Sequence, residues 1–166
     1  GIPYYLSELV KDYNSLVAVT AEEFREKRGI DLRTGHDVKS IDVHRKTVEV
    51  ADLNAGRTYE LGWSKLVIAT GARAVTPPIR GTGAPNVFTV HTLQDGIRVM
   101  GFLRDREPQR AVIVGAGYIG LELAETFRSR GMVVSVVQQS DRLMRGLEPE
   151  VGEKVEEELE RHGVVL

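Results

Sequence analysis

Cysteine is absent from the 166 residues. No disulfide framework, thiolate metal site or cysteine nucleophile can therefore be built within the chain. Net charge is nearly absent too, formally −2 at pH 7. That argues against nucleic acid as a partner, which takes a basic face or stripe. No apolar run approaches the roughly 18 residues of a membrane-spanning helix. No basic-then-apolar stretch opens the chain as a signal peptide would. The four histidines, at 36, 44, 91 and 162, stand without ligand spacing, so no metal site is expected. A small-molecule partner and a cytoplasmic setting are the defaults. The densest charge run, EKVEEELER at 153–161, reads as a solvated helix face.

A start signal is also missing at the front. GIPYYLSE carries no helix or strand signature and reads as a loop from the middle of something. The first clear element is TAEEFREKRG, 20–29, with Thr20 and Glu23 in capping-box spacing and Gly29 as the stop. Short runs follow, IDLRT, HDVKSIDV, KTVEVAD and RTYELG, parted by turn residues. TVEV alternates, which predicts a β-meander with one covered face. KLVIATG, 65–71, does not alternate and reads as a strand buried on both faces.

Residues 72–86 hold three prolines and two glycines and mark a linker. The texture then changes. VFTV reads as a strand, a helix starts at Thr92, and AVIVG and MVVSVV read as buried strands around the helix YIGLELAETFRSRG. A helix from Pro149 to the stop at Gly163 leads to VVL, the start of a third strand. The fold class is α/β: a Rossmann-like parallel βαβαβ portion preceded by a β-meander.

The chemistry lies in VIVGAGYIGLELAE. Gly115, Gly117 and Gly120 form G-x-G-x-x-G between an apolar strand and an amphipathic helix, which is the setting that dinucleotide binding requires. Gly115 allows the tight turn, Gly117 the close approach of a pyrophosphate, and Gly120 close helix–strand packing. The pyrophosphate of NAD(P)H would meet the N–H groups and positive dipole end of the helix. Ile119, Leu123 and Phe127 are expected as its buried stripe. Tyr118 and Glu122, four apart, face one way. At the end of the second strand, where an acid often grips the ribose, stands Gln138, with Arg142 and Arg145 close by to meet a phosphate. Gln does not repel a 2′-phosphate, so use of both NADH and NADPH is expected, with a preference under about tenfold.

VIVGAGYIGLELAE resembles the NAD(P)H-binding segment of the FAD-dependent pyridine nucleotide-disulfide oxidoreductases. KLVIATGARAVTPPI with NVFTVHTLQD resembles the strand and linker that leave their flavin domain. GIPYYLSE resembles the loop after the redox cysteine in one branch, the coenzyme A disulfide reductases and related NADH oxidases and peroxidases. The resemblance covers essentially the whole chain. It implies an internal fragment: a partial FAD-binding domain at 1–76 without its first βαβ, a linker at 77–85, and an NAD(P)-binding domain at 86–166 cut at its third strand. No catalytic residue lies in the chain, and the redox cysteine is expected just before Gly1.

Further roles are implied by the resemblance alone. Gly115, Ala116, Gly117, Tyr118, Ile119, Gly120 and Glu122 would meet NAD(P)H, with Tyr118 over the flavin and Glu122 beside the nicotinamide. Thr70, Gly71 and Ala72 would touch the flavin, and the backbone of Val38 the adenine of FAD. Arg28 would bind coenzyme A phosphate. The intact enzyme would pass hydride to FAD and electrons on to the cysteine, reducing coenzyme A disulfide, oxygen or peroxide, and would be a homodimer. FAD is not expected on the fragment, and the fragment is expected to be inactive. Two alternatives stay open: a ferredoxin reductase-type flavoprotein and a stand-alone NAD(P)-binding module.

Overall fold

The computed structural model describes residues 1–144 and 146–166. They divide into two compact units, one of residues 17–72 and one of 1–16 together with 73–166. The first sixteen residues thus pack with the later unit.

The 17–72 unit begins with α2 (Ala21–Glu26), preceded in the chain by α1 (Ile2–Leu6) of the other unit. The capping box is formed: Thr20 accepts from the Glu23 N–H, and Glu23 accepts from the Thr20 N–H. Gly29 then takes φ +61°, as a helix stop does. β1 (His36–Asp42), β2 (Thr47–Asp52) and β3 (Arg57–Gly62) form an antiparallel sheet in that order. β1 slips register between Val38 and Ser40, a bulge that bends the strand. Val48 and Val50 of β2 are buried and Glu49 between them is exposed. This is the one-sided meander that the alternation predicts. Asp52 ends β2 by accepting from the N–H groups of Asn54 and Ala55. Arg45 and Glu60 pair through two bonds of 2.8 and 2.6 Å.

Two expected strands in this unit are not formed. IDLRT lies in irregular chain, where Leu32 instead gives its carbonyl to Arg25 Nε at 2.9 Å. KLVIATG is not a buried strand: Val67 is 84% and Ile68 68% exposed. No strand lies beside it among the described residues, and an unpaired backbone gains nothing from an extended, dry setting.

The other unit holds α1, α3 (Leu93–Arg106), β4 (Arg110–Val114), α4 (Tyr118–Ser129), β5 (Val133–Val137) and α5 (Pro149–Arg161). β4 and β5 are parallel, with Val112 opposite Ser135. Val165 bridges to Ser135 on the far side of β5, also parallel. The order third–second–first is that of a Rossmann half. VFTV forms no strand, and its Phe88 packs edge-on to Phe102 of α3, 5.2 Å between ring centroids.

The core joins Val99, Met100 and Leu103 of α3, Leu123 and Ala124 of α4, Ile113 of β4, and Val134 and Val136 of β5. It lies on one face of the sheet. Val112, Val114, Val133 and Val137 are all more than half exposed. Among the described residues β4 and β5 are therefore covered on one side only, not buried on both. Of the expected helix stripe, Leu123 is buried and Phe127 packs half-buried against the core, but Ile119 is 52% exposed, and Gly120, Ala124 and Thr126 are buried besides.

The opening loop is a helix. In α1, Pro3 occupies the first turn, where its missing N–H costs nothing. Leu6 is fully buried and Tyr5 nearly so, packed against α3 and α4. Thr126 donates to the Pro3 carbonyl at 3.3 Å, and Arg130 to the Leu6 carbonyl at 2.9 Å. A Cβ on Gly96 would come within 2.8 Å of Ile2 Cγ2, so a side chain there would have to displace Ile2 of α1. Tertiary burial thus makes a helix from a segment without a start signal.

Candidate functional site: the glycine-rich turn between β4 and α4

β4 ends at Val114, and the chain turns at Gly115 with φ +106°. That angle suits glycine and strains other residues. The turn is tied to β5 by the Gly115 N–H, which donates to the Val137 carbonyl at 2.8 Å. Gly120, one turn into α4, closes it. A Cβ there would stand 2.0 Å from the Gly115 carbonyl oxygen and 3.4 Å from Ile113 Cγ2. Helix and strand thus approach so closely that position 120 admits hydrogen alone.

Gly117 is the N-cap of α4 and brings no capping side chain. The first N–H groups of the helix are thereby left for an outside acceptor. A Cβ built on Gly115 or Gly117 meets nothing within 4 Å, so the turn presents bare backbone to open space. Free donors, the positive end of a 12-residue helix and room for close approach are what a pyrophosphate needs. The residues fit a dinucleotide.

Ala116 is 2% exposed, and its N–H donates to Gln138 Oε1 at 2.9 Å. Gln138 Nε2 donates to Ser140 Oγ at 2.7 Å, and Ser140 Oγ donates to the Arg142 carbonyl at 2.7 Å. The fold thus brings Gly115, Ala116, Gly117, Gly120 and Gln138 together. Tyr118 is 69% exposed, and Glu122, one turn further along α4, is exposed as well. Arg142 is exposed, and Arg145 lies outside the described residues. The sequence reading missed Ser140. Only its place two residues after Gln138 hinted at it, and no spacing rule marks a serine there.

The remaining candidates lie in the 17–72 unit. Val38 sits at the bulge of β1 and is 53% exposed. Thr70, Gly71 and Ala72 are exposed in irregular chain, with Gly71 at φ +70°. Arg28 follows α2 and lays its guanidinium over the Phe24 ring, 5.3 Å from the centroid. For FAD these residues offer exposed backbone and one guanidinium, with no phosphate turn of their own. Among the described residues no cluster of His, Cys, Asp or Glu could hold a metal. No described helix is long and apolar enough to cross a membrane.

The chain is 32% identical over 165 residues to an NADH oxidase of Methanocaldococcus jannaschii, covering 99% of this chain and 37% of that protein. It is 36% identical over 163 residues to an NAD(P)H sulfur oxidoreductase (CoA-dependent) of Pyrococcus furiosus, covering 98% of this chain and 36% of that one. The solved structure of reduced Bacillus anthracis CoADR-RHD superposes with a TM-score of 0.93 at 28% identity, over 100% of this chain and 30% of that one. The chain thus spans little more than a third of the curated relatives that it matches. The model of the pyridine nucleotide-disulphide oxidoreductase family matches residues 3–166. That match takes in the meander, the linker and the glycine-rich turn together, and the chain belongs to this family.

Proposed function

We propose that the chain is the NAD(P)H-binding and flavin-facing part of an FAD-dependent oxidoreductase. The observation that carries this reading is the turn at 115–120, with Gly120 pressed on the Gly115 carbonyl and the N-terminus of α4 left bare. In this reading Gly115, Ala116, Gly117, Ile119 and Gly120 line the pyrophosphate, and Gln138 with Arg145 meets the adenosine ribose. Tyr118 and Glu122 stand at the nicotinamide end. Thr70–Ala72 face the flavin, the backbone of Val38 meets the adenine of FAD, and Arg28 meets the phosphates of a coenzyme A substrate.

When bound, NAD(P)H and FAD would supply the redox chemistry, carrying reducing equivalents toward a redox cysteine and on to coenzyme A disulfide, oxygen or peroxide. This chain binds and orients the dinucleotide. The family's flavin domain corresponds to 1–76, its linker to 77–85 and its nicotinamide domain to 86–166. The whole enzyme would be a cytoplasmic homodimer that acts on small molecules and on neither nucleic acid nor membrane.

The test is direct binding of NADH and NADPH to the 166-residue chain, followed by nicotinamide fluorescence. Saturable binding is expected, and Gly117→Val should abolish it by filling the open space over the helix end. No saturable binding, or equal binding by the variant at an unchanged melting temperature, refutes the reading.

A further inference from the structure

α1 lies against α3 and α4 and runs the same way as both. Along α4, Thr126 donates to the Pro3 carbonyl and Arg130 to the Leu6 carbonyl. Along α3, Ile2 lies over Gly96 and Glu8 reaches Arg104. Residue numbers rise together on both sides, so the three helices are parallel. Thr126 is in the last turn of α4 and Arg130 is its C-cap, whereas the glycine-rich turn leads into its first turn. One helix thus holds α1 at its end and offers its bare start to a nucleotide. Glu8 closes this packing. It follows Ser7, the C-cap of α1, at φ +64°, a setting in which glycine is at ease and glutamate is strained. Its carboxylate stands 3.6 Å from Arg104 of α3 and 3.8 Å from Arg130 of α4. Exposed ion pairs of that length stabilise little. A glutamate kept where glycine would sit more easily therefore points to position rather than stability: it joins α1, α3 and α4 at one place.

We propose that Glu8 and Arg130 are positioning residues for the dinucleotide turn: clasped together across α1, they hold α4 in the place where Gly120 closes on Gly115. The inference rests on reading residues 115–120 as a dinucleotide turn and adds what braces that turn from the far end of its helix. The turn has no slack, since position 120 already touches the Gly115 carbonyl. Tyr5 and Leu6 of α1 are buried in the same core as α3 and α4, so a shift of α1 is passed to α4 through packed side chains. A nucleotide binds α4 best when the helix is seated. Closing the clasp and binding the nucleotide therefore strengthen each other by one and the same factor.

The experiment pairs nucleotide affinity with hydrogen exchange in the 166-residue chain. The Ser7 and Val10 N–H groups bond back to the Pro3 and Tyr4 carbonyls and report the opening of α1. Saturating NADH should slow their exchange about fivefold, at the low end of coupling between sites. Glu8→Gly relieves the backbone and removes the carboxylate. It should melt within about 3 °C of the parent, yet weaken NADH and NADPH alike by about fivefold and abolish the protection of α1 by nucleotide. Arg130→Gln should lose affinity and protection in the same way, and Arg130→Lys, which keeps the charge, should recover affinity to within about twofold of the parent. A clasp that only stabilises would lower the melting temperature and leave affinity and protection alone. Affinities within about twofold of the parent in Glu8→Gly and Arg130→Gln, protection of α1 that persists in them, or a larger fall in melting temperature in Glu8→Gly overturns the inference and leaves the dinucleotide site intact. Failure of the unaltered chain to bind either nucleotide overturns the reading of the turn and this inference with it.

Discussion

Two apolar stretches, AVIVG at 111–115 and LVIAT at 66–70, have nearly the same composition and opposite fates. The first runs beside β5 and buries Ile113 against α3 and α4. The second leaves Val67 and Ile68 in solvent with no strand alongside among the described residues. β-propensity is a fit to a pleated, half-buried surface rather than a property of the residues alone. AVIVG has that surface because α4 returns the chain to build it. LVIAT is followed by a proline-rich segment that returns nothing.

The turn at 115–120 is where the first stretch gains what the second lacks, so breaking it should have the largest effect. Gly120→Val should cost about 3 kcal/mol, since a side chain cannot share space with the Gly115 carbonyl and the helix must lift from the strand. Thermal unfolding should show the loss, with nucleotide binding abolished. A variant that melts within about 1 °C of the parent would mean that the helix and strand are not in close contact at position 120.

A paired truncation sharpens the comparison. Val134 is fully buried at the centre of β5. Val134→Ala removes packed methyl groups and leaves a void, at about 2 kcal/mol. Val67→Ala removes the same groups from water and should leave the denaturation midpoint unchanged. Similar losses at the two sites would show that residues 66–70 are packed after all.

Much of this contrast was legible in residues, and some could not be. The turn was legible because each of its glycines answers a local steric demand that spacing alone expresses. The meander was legible because Val48 and Val50 alternate with polar neighbours. α1 was not legible: its five residues have no cap or period of their own and are helical because Leu6 and Tyr5 fill a space between helices some hundred residues away. The one-sided burial of β4 and β5 was hidden for the opposite reason. An unbroken valine run is written for two covered faces, and only one is covered by the described residues. Ser140 was invisible because its role depends on where the Gln138 amide points, which no spacing encodes.

The smallest effect compares the helix starts of the two units. α2 and α3 open with the same device, Thr20 with Glu23 and Thr92 with Asp95. They differ in setting. Glu23 is held below the ordinary carboxylate range first by the exposed Lys27 and then by the Thr20 N–H, and water and salt weaken such a pair. Asp95 is 8% exposed. Its carboxyl is held well below the usual range, first by the Thr92 N–H at 2.8 Å, then by the Thr92 hydroxyl, Arg98 and the His91 N–H. Loss of the cap in Thr92→Ala should cost about 1 kcal/mol, and Thr20→Ala less. The pH dependence follows from the sign of the shift. A carboxyl depressed in the folded state contributes fully above its unfolded value of about 3.9 and loses that contribution as pH falls below it toward the folded value. Asp95→Asn should therefore be less stable than the parent at pH 7, with the gap closing as pH drops from about 5 toward 2, measured by urea midpoints at each pH. A gap that stays constant over that range would show that Asp95 acts through its shape and not its charge.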